Sequence, residues 1–327
     1  MICIGVDTVT YRRRLHRKEK KQRVLMGSLF IILLFFSLGY AAFSTNVNMN
    51  VKGNLKDKSR VIQRYFENSN ENFHTDFYKE NIVSATFLDS GIVPNDAVEA
   101  WDVSETKDKG VMAYVTESNT EKGKYDLYIG AKKGVVANPY SCYLFYNFKS
   151  LSSINFNHNF DTSNVTNMVD MFGGNSNFTT LDLSDFDTHN VTDMSRMFSR
   201  WVGDENGGWG KSVLSNIIFG DNFDTSNVTI MEDMFSGTYI SSLDLRKFNT
   251  YKVTNMFHMF GQCDNLVELN LCSFDTNNVA DARKMFGDSS KLKYIYVGSG
   301  WNLSNADFTD ILTNAGVSSV TKGKCVS

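Results

Sequence analysis

Apolar and polar positions along this chain recur in blocks. The block FDTSNVTNMVDMF (Phe160–Phe172) returns as FDTHNVTDMSRMF (Phe186–Phe198), FDTSNVTIMEDMF (Phe223–Phe235), FNTYKVTNMFHMF (Phe248–Phe260) and FDTNNVADARKMF (Phe274–Phe286). Successive starts lie 26, 37, 25 and 26 residues apart, so one interval holds a normal unit plus an insertion. A fixed period of this length predicts a solenoid, in which no unit buries its apolar face alone. Between the blocks lie segments of alternating apolar residues: LSSINF (ending at Phe156), FTTLDL (Phe178–Leu183), LSNIIF (Leu214–Phe219), ISSLDL (Ile240–Leu245), LVELNL (Leu266–Leu271) and LKYIYV (Leu292–Val297). Their period of two predicts six short parallel strands and therefore about six coils. In VTNMVDMF, Met168, Met171 and Phe172 fall at i, i+3 and i+4 behind a suitable N-cap, Thr166, which predicts a short helix on the other face. Thr192, Thr229 and Thr254 repeat the cap, and Thr229 with Glu232 has capping-box spacing.

Upstream the pattern changes. The run VLMGSLFIILLFFSLGYAAF (Val24–Phe43) has 20 residues without a charge, enough to cross a bilayer as a helix. Residues 1–23 precede it with eight Lys or Arg against Asp7 and Glu19, which places them in the cytoplasm and everything after Phe43 outside. Gly39-Tyr40-Ala41 carries small residues at a signal-peptidase spacing, so both a retained anchor and a cleaved, secreted product stay open, the anchor being preferred. Residues 44–58 read as a linker. Residues 59–138 hold strand-like runs at Ile82–Leu88, Val111–Val115 and Tyr125–Ala131 separated by turn signals, and read as a small α+β cap on the repeats at 139–300. Trp301–Val317 leaves the period, and a helix starting near Ser304 is expected to close the C-terminal end (301–327).

Composition adds less. The basic N-terminus leaves −9 on the remainder of a chain whose net charge is −3, which gives no basic stripe for nucleic acid. Nine of the 13 Met residues sit inside the repeat, marking them as periodic core rather than a soft-metal box. The five Cys residues are few and odd in number, without a Cys-x-x-Cys pair, so buried free thiols are expected rather than a disulfide framework or a zinc site. The sequons at Asn164, Asn190 and Asn227 fall within the repeat and read as repeat structure. The recurring Asp161, Asp187, Asp224 and Asp275, with Asn249, offer either a calcium ladder or side chains that cap turns; turn capping is preferred because the Gly-Gly-x-Gly-x-Asp pattern is missing.

The unit L-x-x-L-x-L-x-x-F-D-T-S-x-V-T-x-M-x-x-M-F resembles the bacterial surface protein repeat of about 26 residues found in BspA-like leucine-rich repeat surface proteins. The resemblance spans roughly Pro139–Val297, and IVSATFLDSGIVPNDAVEAWDVSE, VMAYV and YDLYIGAKKGVVANPYS resemble the segment that precedes such repeats. It implies a leucine-rich-repeat-like solenoid displayed on or secreted from bacterial cells, in some members for adhesion, with no catalytic residues to transfer. The expected function is accordingly non-catalytic binding of an extracellular protein or glycan, on host matrix or other cells, with no cofactor and no metal. The alternatives are a structural envelope component, or an enzyme in residues 59–138, where Asp102, Glu105 and His74 form no convincing set. Side chains at the middle of each strand should face solvent as a ladder: Asn155, Asp182, Ile218, Asp244, Asn270 and Tyr296. Trp201 and Trp209, flanking the Gly-rich insertion 199–211, form a second candidate contact.

Overall fold

The computed structural model describes residues 58–64, 76–200, 212–323 and 325. The chain divides after Lys58, and the elements below lie in the unit Ser59–Ser327. A six-residue helix, α1 (Asp76–Asn81), leads into β1 (Ile82–Leu88), followed by β2 (Glu99–Asp102), β3 (Val111–Glu117), β4 (Tyr125–Ala131) and β5 (Val135–Val136). The repeats contribute β6 (Ser153–Asn155), β7 (Phe160–Asp161), β8 (Thr180–Leu183), β9 (Asn216–Phe219), β10 (Glu268–Leu271) and β11 (Tyr294–Val297), and β12 (Thr321–Lys322) ends the set.

The largest sheet is mixed, in the order β2-β3-β4-β1-β6. Alternation along IVSATFL buries Ile82, Val83, Ala85 and Phe87, and β3 and β4 bury Val111, Ala113, Val115, Leu127 and Ile129 on the same core. The strand of the first coil, β6, pairs parallel to β1 through Ser84↔Ser153 and Thr86↔Asn155. The sheet of residues 82–131 therefore runs directly into the first coil.

Each later coil passes through a strand, a tight turn, the Phe-Asp-Thr corner and an arc over the Met-x-x-Met-Phe segment. The expected helices are not in the arcs. In every arc one non-glycine residue takes a left-handed backbone: Asp170 (φ 52°), Arg196 (54°), Asp233 (53°), His258 (53°), Lys284 (53°) and Asp310 (59°). A single left-handed residue ends a right-handed helix. Half of the arc's N–H groups close turns within the coil, such as Met171 N to Met168 O at 3.2 Å. The other half leave it: Met168, Asp170 and Phe172 donate to Asp193, Ser195 and Met197 O of the next coil, each at 3.0 Å. Thr166 and its equivalents are not N-caps. Thr192, Thr229 and Thr254 each donate both N–H and Oγ1 to the Thr carbonyl of the preceding coil, and Glu232 accepts from Asn255 at 2.9 Å instead of closing a capping box.

The strands also depart from expectation. Five of the six alternating segments contain a strand, but Ile240–Leu245 does not, and the strands fall into separate sheets, β8-β9 and β10-β11-β12, beside the five-stranded sheet and the pair β5-β7. The leucine-rich-repeat-like solenoid, with one face of strands and one of helices, is thereby corrected to small sheets and turns with almost no helix. Isolated parallel bridges link the coils on the arc side, from Tyr140↔Asn167 through Asn167↔Asp193, Asp193↔Ile230, Ile230↔Asn255 and Asn255↔Asp281 to Asp281↔Asp307. The C-terminal helix expected from Ser304 is likewise replaced by one more arc.

All nine repeat methionines are fully buried, between columns of stacked rings. Phe145, Phe172, Phe198, Phe235, Phe260 and Phe286 follow one another at centroid spacings of 6.0, 6.2, 5.5, 5.5 and 5.9 Å, with planes within 17° of parallel. Expected free thiols give way to disulfides. Cys272 bonds Cys325 because β12 returns beside β11 and brings their Cα atoms to 5.6 Å; Cys142 is also disulfide-bonded, and Cys263 is a buried free thiol.

Among the described residues no helix is long and apolar enough to cross a membrane. The helix α1, at six residues, is about 9 Å long against the roughly 30 Å of a bilayer core. Residues 1–23, 24–43 and 44–57 lie outside the described residues. The transmembrane helix, and with it the cell-surface location anchored by that helix, finds no support in this structure and is withdrawn.

Candidate functional site

The six side chains expected to form one outward ladder are only partly brought together. Asp182 on β8 stands opposite Ile218 on β9, and Asn270 on β10 opposite Tyr296 on β11. Asn155 faces Thr86 instead, on the five-stranded sheet, and Asp244 belongs to no strand. Flanking residues are core: Leu181, Leu183, Leu269, Leu271, Ile295 and Val297 are buried, so the residues between them point outward. Asn155, Asp182, Ile218 and Asp244 are exposed, while Asn270 and Tyr296 are half-buried. Tyr296 lies parallel to Tyr294, with ring centroids 6.2 Å apart.

Four of the six also have a local task. The side-chain oxygens of Asn155, Asp182, Asp244 and Asn270 accept the backbone N–H two residues on, from Asn157, Ser184, Arg246 and Cys272, at 2.9–3.1 Å. These bonds turn the chain out of the strand. Arg246 also grips both oxygens of Asp244, and this bonding holds the carboxyl down at about 2. Ile218 and Tyr296 carry no such cap and are the two positions free to vary without disturbing a turn. Trp201 and Trp209 lie outside the described residues.

The acidic column at the Phe-Asp-Thr corner behaves the same way. Asp161, Asp187, Asp224, Asn249 and Asp275 each accept the N–H two residues on. Asp187, Asp221, Asp224, His189, Asn222, Phe223 and Lys247 line an open cleft of about 550 Å³, but its carboxylates already have local partners, Asp221 in Lys247, Asp187 in His189 and Asp224 in Ser226. No group of three or more His, Cys, Asp or Glu among the described residues is placed to hold a metal.

The threonine after that acid was missed by sequence reasoning and does more. Thr162, Thr225, Thr250 and Thr276 are buried, and each donates Oγ1 to a carbonyl of the next coil and accepts that residue's N–H: Asp187, Asn249, Asp275 and Asn302. Thr188 makes the donor half of the bond, to Asp224 O. The signal was present as an unvaried Thr in all five blocks.

A second overlooked column is the left-handed residue itself. Tyr143, Asp170, Arg196, Asp233, His258, Lys284 and Asp310 succeed one another along the arcs. Arg196 donates to Asp170 at 2.8 Å, and Asp233 holds His258 Nδ1 at 2.6 Å. Burial pushes the Asp170 carboxyl up to about 6 against the pull of Arg196, and burial also raises the Tyr143 hydroxyl. Ser236, His258 and Asp233 have the composition of a hydrolytic triad but not its geometry. Both Ser236 Oγ (3.1 Å) and Asp233 meet the same ring nitrogen, Nδ1, and all three side chains are buried. A general base needs one nitrogen for its nucleophile and the other for its orienting acid. Here the three groups stitch coils together.

These observations define a repeat protein of small sheets and turn-rich arcs, with outward side chains paired only at Asp182↔Ile218 and Asn270↔Tyr296 among the positions singled out. The chain belongs to the family described as Mycoplasma protein of unknown function, DUF285, whose match covers residues 142–203 and 208–321, just over half of the sequence. The match is to this family and not to a leucine-rich repeat, which corrects the leucine-rich-repeat reading that the resemblance of the whole repeat unit implied. No curated protein and no solved structure matches the chain.

Proposed function

We propose that this chain is a non-enzymatic binding protein that recognises a protein or glycan partner across the outward side chains of its strands. The observation that carries this reading is the pairing Asp182↔Ile218 and Asn270↔Tyr296 over a largely buried apolar layer. Such side chains sit on hydrogen-bonded paired strands, so little backbone ordering entropy opposes a contact made there. Ile218 is 42% exposed and Tyr296 adds an aromatic ring beside Tyr294, among amides and carboxylates. Apolar and aromatic anchors within a polar surround are the usual energetic centre of a recognition surface.

The test uses the full chain against printed glycans and immobilised matrix proteins. Any hit is repeated with Ile218→Lys and with Tyr296→Ser, neither of which removes a turn cap. A fall in affinity of tenfold or more, with an unchanged melting curve, supports the surface. Equal binding by both variants refutes it.

A further inference from the structure

Along each Met-x-x-Met-Phe segment the hydrogen bonds to the next coil run in one direction. Met168, Asp170, Phe172 and Gly174 donate to the next coil, and the last interior arc repeats the pattern: Ala282, Lys284, Phe286 and Asp288 donate to Asp307, Thr309, Ile311 and Thr313 O at 2.8, 3.2, 3.0 and 2.7 Å. Carbonyls of the donor residues are consumed inside their own coil, as when Met171 N takes Met168 O and Ile311 N takes Phe308 O. Each Met-x-x-Met-Phe segment thus presents N–H groups toward the C-terminal side and carbonyls toward the N-terminal side, while the residue two places before it, Thr254 or Ala280, presents its carbonyl toward the C-terminal side. At the final arc the equivalent donors are the backbone N–H groups of Phe308, Asp310, Leu312 and Asn314, and they have no partner among the described residues.

The side chains of this arc are those of an interior coil. Phe308, Ile311 and Leu312 occupy the places of Ala282, Met285 and Phe286, which are fully buried, yet Phe308 is 53% exposed and Ile311 and Leu312 are only half-buried. A terminating repeat normally turns a polar face outward. Here β12 covers β11 on the strand side, pairing Tyr296↔Thr321, and no described segment covers the arc side.

We infer that residues 308–314 form a docking edge for a peptide segment of a partner protein. The segment lies along the arc and supplies carbonyl oxygens to the four N–H groups, while its apolar side chains cover Phe308, Ile311 and Leu312. The polarity of the edge selects this occupant. Two copies of the chain meeting edge to edge would set donors against donors. A free anion would meet the exposed carboxylates of Asp307 and Asp310. Neutral carbonyls spaced as in the chain's own arcs satisfy the donors without that repulsion, by the logic of strand addition at an open edge.

The test uses the full chain and a fluorescein-labelled synthetic peptide, NNVADARKMFGDSS, copied from residues 277–290, whose carbonyls serve such an edge within the molecule. Saturable fluorescence anisotropy is expected, with slowed amide exchange confined to the segment 303–317. Phe308→Asp, at a site already open to water, should weaken the peptide at least tenfold while leaving the circular dichroism melt in place. Failure to saturate, equal binding of a scrambled peptide, or protection on β10 and β11 instead would overturn the inference. Protection of 303–317 by raising the concentration of the chain alone would reassign the edge to self-association and overturn it too.

Discussion

The buried threonines make the sharpest test of how the coils are joined. Thr250 is fully buried; its Oγ1 donates to Asp275 O and accepts Asp275 N–H, each at 2.8 Å. Thr250→Val keeps the shape and leaves both backbone groups of Asp275 without their partner. Each unsatisfied buried group costs about 1–3 kcal/mol, against about 0.8 kcal/mol gained from the apolar atom, so a net loss of roughly 1–5 kcal/mol is expected. Thr250→Ser keeps the hydroxyl and loses one buried methyl, at about 1 kcal/mol. Urea unfolding followed by circular dichroism should therefore rank wild type above Ser and Ser above Val. If apolar burial were the controlling term, Val would equal or exceed the wild type. That order would refute a hydrogen-bonded threonine column as the link between coils.

Three further outcomes follow from the same geometry. Lys284 is exposed and left-handed, so Lys284→Gly should relieve backbone strain and raise stability by about 1 kcal/mol, read as a higher urea midpoint. The Cys272–Cys325 bond closes a span of 53 residues, and the double change Cys272→Ser, Cys325→Ser should lower stability by up to about 4 kcal/mol on a chain-entropy argument, with Cys142 left bonded as an internal control. Asp170, facing Tyr143, Arg196 and Asp233, is raised by burial from 3.8 to about 6. The folded chain therefore keeps a proton that the unfolded chain releases, and stability present below about pH 4 is lost as pH rises through about 6. Relative to Asp170→Asn, the wild type should lose up to roughly 3 kcal/mol between pH 4 and pH 7; parallel pH profiles of the two proteins would contradict it.

The sequence carried the register of the coils further than their form. Phe-Asp-Thr marks each corner, and the Met and Leu positions mark what is buried, because burial follows from side-chain chemistry alone. The arcs were misread as helices because Met168, Met171 and Phe172 at i, i+3 and i+4 suit two consecutive turns as well as a helical stripe. What decides between them is a left-handed residue at the third position, and Asp, Arg, Asp, His and Lys stand there without any glycine to announce it. Thr166, Thr192, Thr229 and Thr254 were misread for a related reason. A cap bond and a bond to the neighbouring coil use the same hydroxyl, and only the three-dimensional stack says which carbonyl is near. Cys272 and Cys325 met the same limit: their pairing depends on β12 folding back on β11, which no local pattern announces.

The candidate surface was legible in outline because strand alternation fixes which side chains face outward. Its chemistry was not, since an Asp or Asn at a strand end is as suited to its own turn as to a partner. Asn155, Asp182, Asp244 and Asn270 all make that turn bond, which moves the weight of any recognition onto Ile218 and Tyr296. The column Asp170, Arg196, Asp233, His258 has the opposite character. Arg196 bonds Asp170 and His258 bonds Asp233 of the adjacent coil, so sliding one coil by a single repeat would set Asp170 against Asp233. Pairs buried to this degree add little net stability, but a like-charge contact in the same place is strongly unfavourable. Stacked Phe rings would tolerate such a slip, because a Phe stands at the same place in each of these coils. The Arg196–Asp170 and His258–Asp233 pairs are therefore features that distinguish these coils from their neighbours.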